Sequence, residues 1–381
     1  MVQHFRMIQR YIAPKIKEHL ATHNILLLLG TRGVQKFELV ASCIENQEQI
    51  LAIDASKKKV RKEIEALKSN GYLPYFGDKK YVLIRDAQYL ANLQDIIEEV
   101  LDKNASLNLV LLCSYEPILE QVLRDVLQME GLEINIFPLL FQEIANQQGI
   151  VEFDKKLEQR IVFGNYPEVV ANPEEAEDFL RQLVKAAIFT QLNPNERINK
   201  GAKLLKMIQI LAFEIGQAIS YNDVGLRCGL DNETVERYID LLEKAYILKK
   251  IPCYFNNNTY ELKKTHTVYF LDNGIRNAVI QNFHGFELRN DIDALWKNWL
   301  IAERIKWNDY NGLKADYYFW KTHTKQQMDF IEEREGKLMA YKSIWDKRKK
   351  PKFPASFKKY YPEAGLFALN RTTYWGFLSK K

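Results

Sequence analysis

The sequence predicts a multidomain α/β protein, and three observations carry that expectation. From Asn24 to Phe137, short apolar runs alternate with helical stretches, the pattern of a parallel sheet covered on both faces. Between Ala202 and Phe270, three helical stretches precede two strands, the order of a winged helix-turn-helix. From about Asp291, a helix is followed by three further strand-like runs. At 381 residues and 47% hydrophobic, the chain has length for two or three domains and enough apolar content to bury real cores.

The elements follow in order. Gln3 to Leu20 carries helix-spaced apolar residues, and Asn24 to Gly30 is a strand that ends on glycine. Helices are expected over Lys36–Glu45, Lys58–Lys68, Leu90–Leu101 and Pro117–Leu127. Strands are expected over Gln49–Asp54, Lys80–Arg85, Leu107–Cys113 and Leu132–Phe137. Glu152 to Arg197 is helical in pattern. Helices over Lys203–Ile219, Tyr221–Gly229 and Asn232–Ala245 come next, with Gly229 as a stop and Asp231 or Asn232 as a cap. Strands Ile247–Phe255 and Tyr260–Phe270 join through Asn256-Asn257-Asn258. The last part has a helix over Ala294–Trp307 and strands near Ala315–Lys321, Met328–Glu332 and Lys337–Ser343.

Composition narrows the function classes. Charged residues make up 27%, with 17 Gly and 11 Pro, as in an ordinary globular protein. The longest fully apolar run, Ile25 to Leu29, is far too short to span a bilayer, so no membrane role is expected. No small-residue cleavage site follows the N-terminal stretch, so no signal peptide is expected. The four cysteines are scattered without a CxxC pair, which argues for a reducing, cytoplasmic setting and against a metal or disulfide framework. The net charge of +5 hides an asymmetry: Lys337 to Lys381 sums to +10 and the remainder to −5. Such a basic region attracts nucleic acid, anionic lipid or an acidic partner, or is a solvated lysine face.

One loop carries the chemistry. Gly30-Thr31-Arg32-Gly33-Val34-Gln35-Lys36-Phe37 joins a strand to a helix, the context of a phosphate cradle. Against the pattern G-x-x-x-x-G-K-[ST], Gly30 and Lys36 keep their spacing. Gln35 replaces the second glycine, whose lack of a side chain lets amides approach phosphate. Phe37 replaces the hydroxyl that ligates Mg²⁺. The third strand ends in Arg85-Asp86, where an Asp-Glu pair is expected to direct the metal and the attacking water. Asp86 is the acid left to act as a base, and Arg85 makes the metal position electrostatically wrong.

These segments together resemble a prokaryotic family of AAA-type ATPases fused to a winged helix and a restriction-endonuclease-like domain. Arg10, the loop residues Gly30, Arg32, Val34 and Lys36, Arg85-Asp86-Ala87-Gln88, Ser114, Pro138-Leu139 with Glu143, and Gly164-Asn165-Tyr166-Pro167 carry the likeness. So do Arg237-Tyr238, Leu241-Leu242, Glu261-Leu262-Lys263 and Val268 to Arg276. The resemblance implies a P-loop AAA-type domain with a parallel sheet over residues 1–150 and a helical lid over 151–200. It further implies a winged helix-turn-helix over 201–285 and an α/β restriction-endonuclease-like domain over 286–381. It places Gly164 to Pro167 near the adenine. It also implies a nuclease-like set of Glu303, Asp329 and Lys342, degenerate because Ala340 stands where an acid is expected.

The expected ligand is ATP, with Mg²⁺ doubtful. The expected binding residues are Gly30, Arg32, Gly33, Val34, Gln35, Lys36, Phe37, Arg85, Ser114 and Pro167. The expected recognition helix, Asp231–Tyr246, carries net charge −3, which phosphates repel. Lys249, Lys250, Lys263 and Lys264 form the wing. Nucleic acid is better suited to Lys347, Arg348, Lys349, Lys350 and Lys352, with Trp345, Phe353 and Phe357 between them as stacking surfaces or core. Three readings stay open: an ATP binder with weak or no hydrolysis, a nucleotide-free scaffold for an unidentified protein partner, and a nucleic-acid-binding module.

Overall fold

The computed structural model describes residues 8–69, 71–103, 107–116, 119–129, 133–186, 201–254, 265–324 and 326–379. The chain divides into two compact units, Arg6–Phe137 and Pro138 onward.

The first unit runs α1 (Ala13–Thr22), β1 (Ile25–Leu29), α2 (Lys36–Ser42), β2 (Ile50–Asp54), α3 (Lys58–Glu65), α4 (Leu73–Phe76), β3 (Tyr81–Arg85), α5 (Leu93–Asp102), β4 (Asn108–Cys113), α6 (Gln121–Met129) and β5 (Glu133–Asn135). Its five strands are parallel, in the order β2-β3-β4-β1-β5. Every residue of β1 and of β4 is buried, because a central parallel strand is covered on both faces. That is why both read as continuous apolar runs, each buried Leu or Ile contributing about 2 kcal/mol. α5 buries Leu93, Ile96, Ile97 and Val100, the i, i+3, i+4, i+7 stripe of a covering helix. The carboxyl ends of β1, β3 and β4 align, with Leu29 beside Cys113 and Arg85 beside Leu112. Open α/β sheets bind ligands at this edge.

The second unit begins with α7 (Phe141–Gln148), α8 (Ile150–Lys155), α9 (Leu157–Phe163), α10 (Pro167–Ala171) and α11 (Ala176–Ala186). Then come α12 (Gly201–Phe213), α13 (Tyr221–Cys228), α14 (Asn232–Lys244) and the antiparallel pair β6 (Leu248–Pro252) and β7 (His266–Phe270). Ser220 caps α13, Gly229 ends it in the left-handed region, and Asp231 caps α14. α12 stops at Phe213, short of the expected Ile219. The Asn256-Asn257-Asn258 connector, Glu261 to Lys264 and residues 187–200 lie outside the described residues.

The chain continues through α15 (Asn273–Val279), α16 (Ile292–Tyr310), β8 (Asp316–Lys321), β9 (Gln327–Arg334), β10 (Lys337–Ser343), α17 (Ala355–Tyr360), β11 (Gly365–Leu369) and α18 (Tyr374–Ser379). The last four strands form a sheet in the order β11-β10-β9-β8. β11 is parallel to β10, and the other pairs are antiparallel.

A buried polar network ties the start of this unit to its later helices. Asp272 accepts from the amides of Asn165, Gly274 and Ile275. Gly164 has φ +74°, and a β-carbon there would overlap the Asp272 carboxylate. Burial raises the Asp272 pKa to about 6, against the lowering effect of those amides and of Lys306. Glu143 reaches back to the Leu140 amide at the start of α7.

Candidate functional site

The loop after β1 is built from beneath and behind. Arg10, buried, donates to the Val34 carbonyl at 3.2 Å and to the Phe137 carbonyl at 2.7 Å. Gly30 is held against the neighbouring chain so closely that a β-carbon would overlap the Ile136 carbonyl. Gln35 has φ 59° and ψ 44°. The substituted residue therefore keeps the left-handed backbone that a glycine adopts freely, at a cost of roughly 1–2 kcal/mol. Asp86, at the end of β3, is likewise left-handed, with φ 51°. Two non-glycine residues in this region at one edge of a sheet mark a locally strained site.

An open cleft of about 490 Å³ lies over this edge, bounded by Arg32, Gly33, Gln35, Lys36, Phe37, Glu38, Arg85, Asp86, Leu112 and Ser114. Lys36 Nζ turns under the loop and donates to the carbonyls of Gly30 and Thr31, at 2.5 and 2.9 Å. Burial pushes its pKa down to about 8, partly opposed by the Asp86 carboxylate. Arg32 pairs with Asp86 at 3.1 Å. Ser114 Oγ donates to Asp86 at 3.0 Å, Gln88 Nε2 donates to the same oxygen at 3.0 Å, and the Ser114 amide donates to Gln88 Oε1.

Arg85 Cζ lies 3.7 Å from the centroid of the Phe37 ring, a close cation–π contact. Its Nη2 is 3.5 Å from Glu38 Oε1. The residues at the hydroxyl and metal-directing positions are thus in contact with each other. Asp86 is taken up by Arg32, Gln88 and Ser114. This donor set does not fit Mg²⁺, which needs several oxygen ligands in near-octahedral geometry. Among the described residues, no group of three or more His, Cys, Asp or Glu is placed to hold a metal ion.

The cleft brings together Arg32, Gly33, Gln35, Lys36, Phe37, Arg85, Asp86 and Ser114. Gly30 and Val34 support it from inside the loop, where both are buried. Pro167 lies in the second unit, buried at the first turn of α10. Sequence reasoning missed Glu38, which nothing in the loop pattern marks. It also gave no role to Gln88, although the residue stood in the quoted Arg85 to Gln88 segment.

The residues expected to form a nuclease-like set are held by other partners. Glu303, buried, accepts from the Phe141 amide and Asn165 and pairs with Lys306. Asp329 pairs with Lys297 at 3.0 Å, and Lys342 donates to the Gln327 carbonyl. Lys347, Arg348, Lys349, Lys350 and Lys352 are exposed. Of the aromatics between them, Phe357 is fully buried against Trp320, and Phe353 lines the same core. Trp345 meets Phe286, Trp296 and Arg371. Lys249 and Lys250, expected in a wing, pair with Glu243 and Asp240 of α14. Among the described residues, no helix is long and apolar enough to cross a membrane.

Comparison with known proteins agrees with the sheet. Residues 22–145 match a family model described as an AAA domain. Residues 154–284 and 293–374 match two domains of unknown function, DUF8612 and DUF4143. An uncharacterized protein of Haemophilus influenzae is 26% identical over 222 residues, covering 55% of this chain and 54% of that one. The chain thus spans about half the length of the curated relative it matches. A Walker-type ATPase of Pyrococcus abyssi is 14% identical with a TM-score of 0.46, covering 73% of this chain and 97% of that one. The stretch that matches the AAA domain model, residues 22–145, contains the five-stranded parallel sheet of the first unit.

Proposed function

We propose that this protein binds ATP at the cleft over β1, β3 and β4, without Mg²⁺ and with weak or no hydrolysis. The observation that carries the reading is the position of Lys36 beneath a loop that keeps its left-handed turn at Gln35, beside Arg32 and Arg85. The triphosphate is to lie against the amides of Gly33 to Phe37, the last of which open a helix and so lack intrahelical partners. Lys36 exchanges its loop carbonyls for the β/γ-phosphates, and Arg85 supplies part of the charge a metal carries elsewhere. Ser114 lies within the same cleft. Hydrolysis is disfavoured because Asp86, the remaining acid, is held by Arg32, Gln88 and Ser114 rather than directed at a water.

A nucleotide-free scaffold is the second reading, favoured by the two carbonyls that already satisfy Lys36. In that reading the winged helix-turn-helix over 201–285 and the nuclease-like domain over 286–381 serve an unidentified protein partner. Nucleic-acid binding through Lys347 to Lys352 ranks third, because the interleaved aromatics are engaged in packing. A thermal shift with ATP separates the first two. A ligand at 100 times its Kd adds about 2.7 kcal/mol of stability. The shift is expected in wild type and absent in Lys36→Ala; an unshifted wild type favours the scaffold.

A further inference from the structure

In the second unit, a small cavity of about 40 Å³ opens among α7, α9, α10 and α11, lined among others by Gln148, Lys156, Arg160, Gly164, Val170 and Ala176. That is room for about three waters, at roughly 10–15 Å³ of such space for each. Arg160 belongs to the buried face of α9, together with Leu157, Ile161 and Val162. It is only 7% exposed.

The surrounding chain fixes this guanidinium without neutralising it. Arg160 Nη2 donates to Gln148 Oε1 at 2.6 Å, and Cζ lies 5.1 Å from the centroid of the Phe153 ring. Both partners are uncharged. Among the described residues, Arg160 makes no ion pair and no other side-chain hydrogen bond, and its Nε is buried without a partner. The nearby carboxylates are engaged elsewhere. Glu152 pairs with Lys155 and Lys156, each at 3.4 Å. Asp154 accepts from the Tyr374 hydroxyl, and Glu158 pairs with Arg371 at 3.6 Å. Burial pushes the Arg160 pKa down to about 10, and the charge of Glu152 opposes this only in part. A desolvated cation without a counter-ion is costly unless an anion completes it.

We infer that this cavity binds a small monovalent anion, held by the Arg160 guanidinium. The unmet charge is a single one, because Lys156 at the rim already has Glu152. The second charge of a phosphate or sulfate would face Val169, Val170 and Ala176 without a partner. The space admits a halide or a carboxylate of up to about four non-hydrogen atoms. A guanidinium takes the carboxylate through parallel N–H donors and the halide through converging ones. The site lies within the second unit and does not depend on the nucleotide reading.

The test is urea denaturation of the full chain while sodium gluconate, whose anion is too large for the cavity, is exchanged for sodium chloride or sodium acetate at constant ionic strength. An anion that binds the folded state raises the urea midpoint saturably. Two variants accompany the wild type. Arg160→Met removes the charge and keeps an apolar stem. Gln148→Glu is isosteric, so it is expected to fold, and it sets a built-in carboxylate against Arg160 Nη2. Circular dichroism checks the fold of each. The expected result is a saturable rise in wild type, half complete at millimolar anion, and no such rise in either variant. In gluconate alone, Gln148→Glu is expected to have a higher midpoint than wild type. A larger response to acetate assigns a carboxylate to the site, and a larger response to chloride a halide. No saturable rise in wild type with either anion, or a rise retained in folded Arg160→Met or in Gln148→Glu, overturns the inference.

Discussion

The guanidinium carbon of Arg85 lies 3.7 Å from the centroid of the Phe37 ring. These two residues stand where a metal-directing carboxylate and a metal-ligating hydroxyl are expected, and each replacement makes sense of the other. A phenyl face gives the arginine a favourable seat, worth about 0.5–2 kcal/mol. The arginine in turn places a positive charge where a metal-directing carboxylate is expected. The departures from the Walker pattern at Phe37 and Arg85 therefore form one local unit.

Reversing that charge is expected to weaken nucleotide binding. Arg85→Asp lowers ATP affinity in EDTA by about tenfold or more, the scale of a lost charge-assisted contact. Titration calorimetry measures it, and unchanged affinity refutes the role given to Arg85. The double variant Phe37→Thr with Arg85→Asp should regain a dependence on Mg²⁺.

Lys36 predicts a pH profile. Its pKa is lowered by burial to about 8, and only the cation attracts phosphate. ATP affinity is therefore expected to be highest below about pH 7 and to fall as pH rises through 8, by up to tenfold per unit. A wild-type profile that stays flat between about pH 7 and 9 contradicts the placement of Lys36 on phosphate.

Gln35 offers a stability test. Its backbone sits at φ 59°, which costs an ordinary residue roughly 1–2 kcal/mol, while glycine adds about 0.5–1 kcal/mol of unfolded-state entropy. Gln35→Gly is expected to raise unfolding stability by up to about 1 kcal/mol, read as a higher urea midpoint. A loss of comparable size would mean that the Gln35 side chain holds the loop.

Asp272 should be among the costlier positions. Asp272→Ala leaves the amides of Asn165, Gly274 and Ile275 without their buried acceptor, at about 2–4 kcal/mol. Its pKa is raised in the fold to about 6, so its protonation favours the folded state. That contribution is present below about pH 4 and is lost as pH rises through 6. Urea denaturation from about pH 4 to 7 should show this slope in wild type and lose it in the variant.

The parts legible in the sequence are those with a one-dimensional signature. β1 and β4 announce themselves as unbroken apolar runs because both faces are covered. Gly30 and Lys36 keep a spacing tied to the turn between strand and helix. The Arg85–Phe37 contact was not legible, since 47 intervening residues are brought to one edge only by the register of β3, β4 and β1. α17, β11 and α18 were not anticipated: Pro351 and Pro354 interrupt the pattern, and β11 is short and half-exposed. Glu303 and Asp329 were expected in a metal set only because the family resemblance implies one. Two of their partners, the Phe141 amide at Glu303 and the side chain of Lys297 at Asp329, come from distant parts of the second unit, while Lys306 pairs with Glu303 from one turn along the same helix.

The most direct measurement is calorimetric titration of the purified protein with ATP and ADP, with and without Mg²⁺. Micromolar binding that is insensitive to Mg²⁺ is the expected result. No binding at millimolar nucleotide, or binding that requires Mg²⁺, contradicts it.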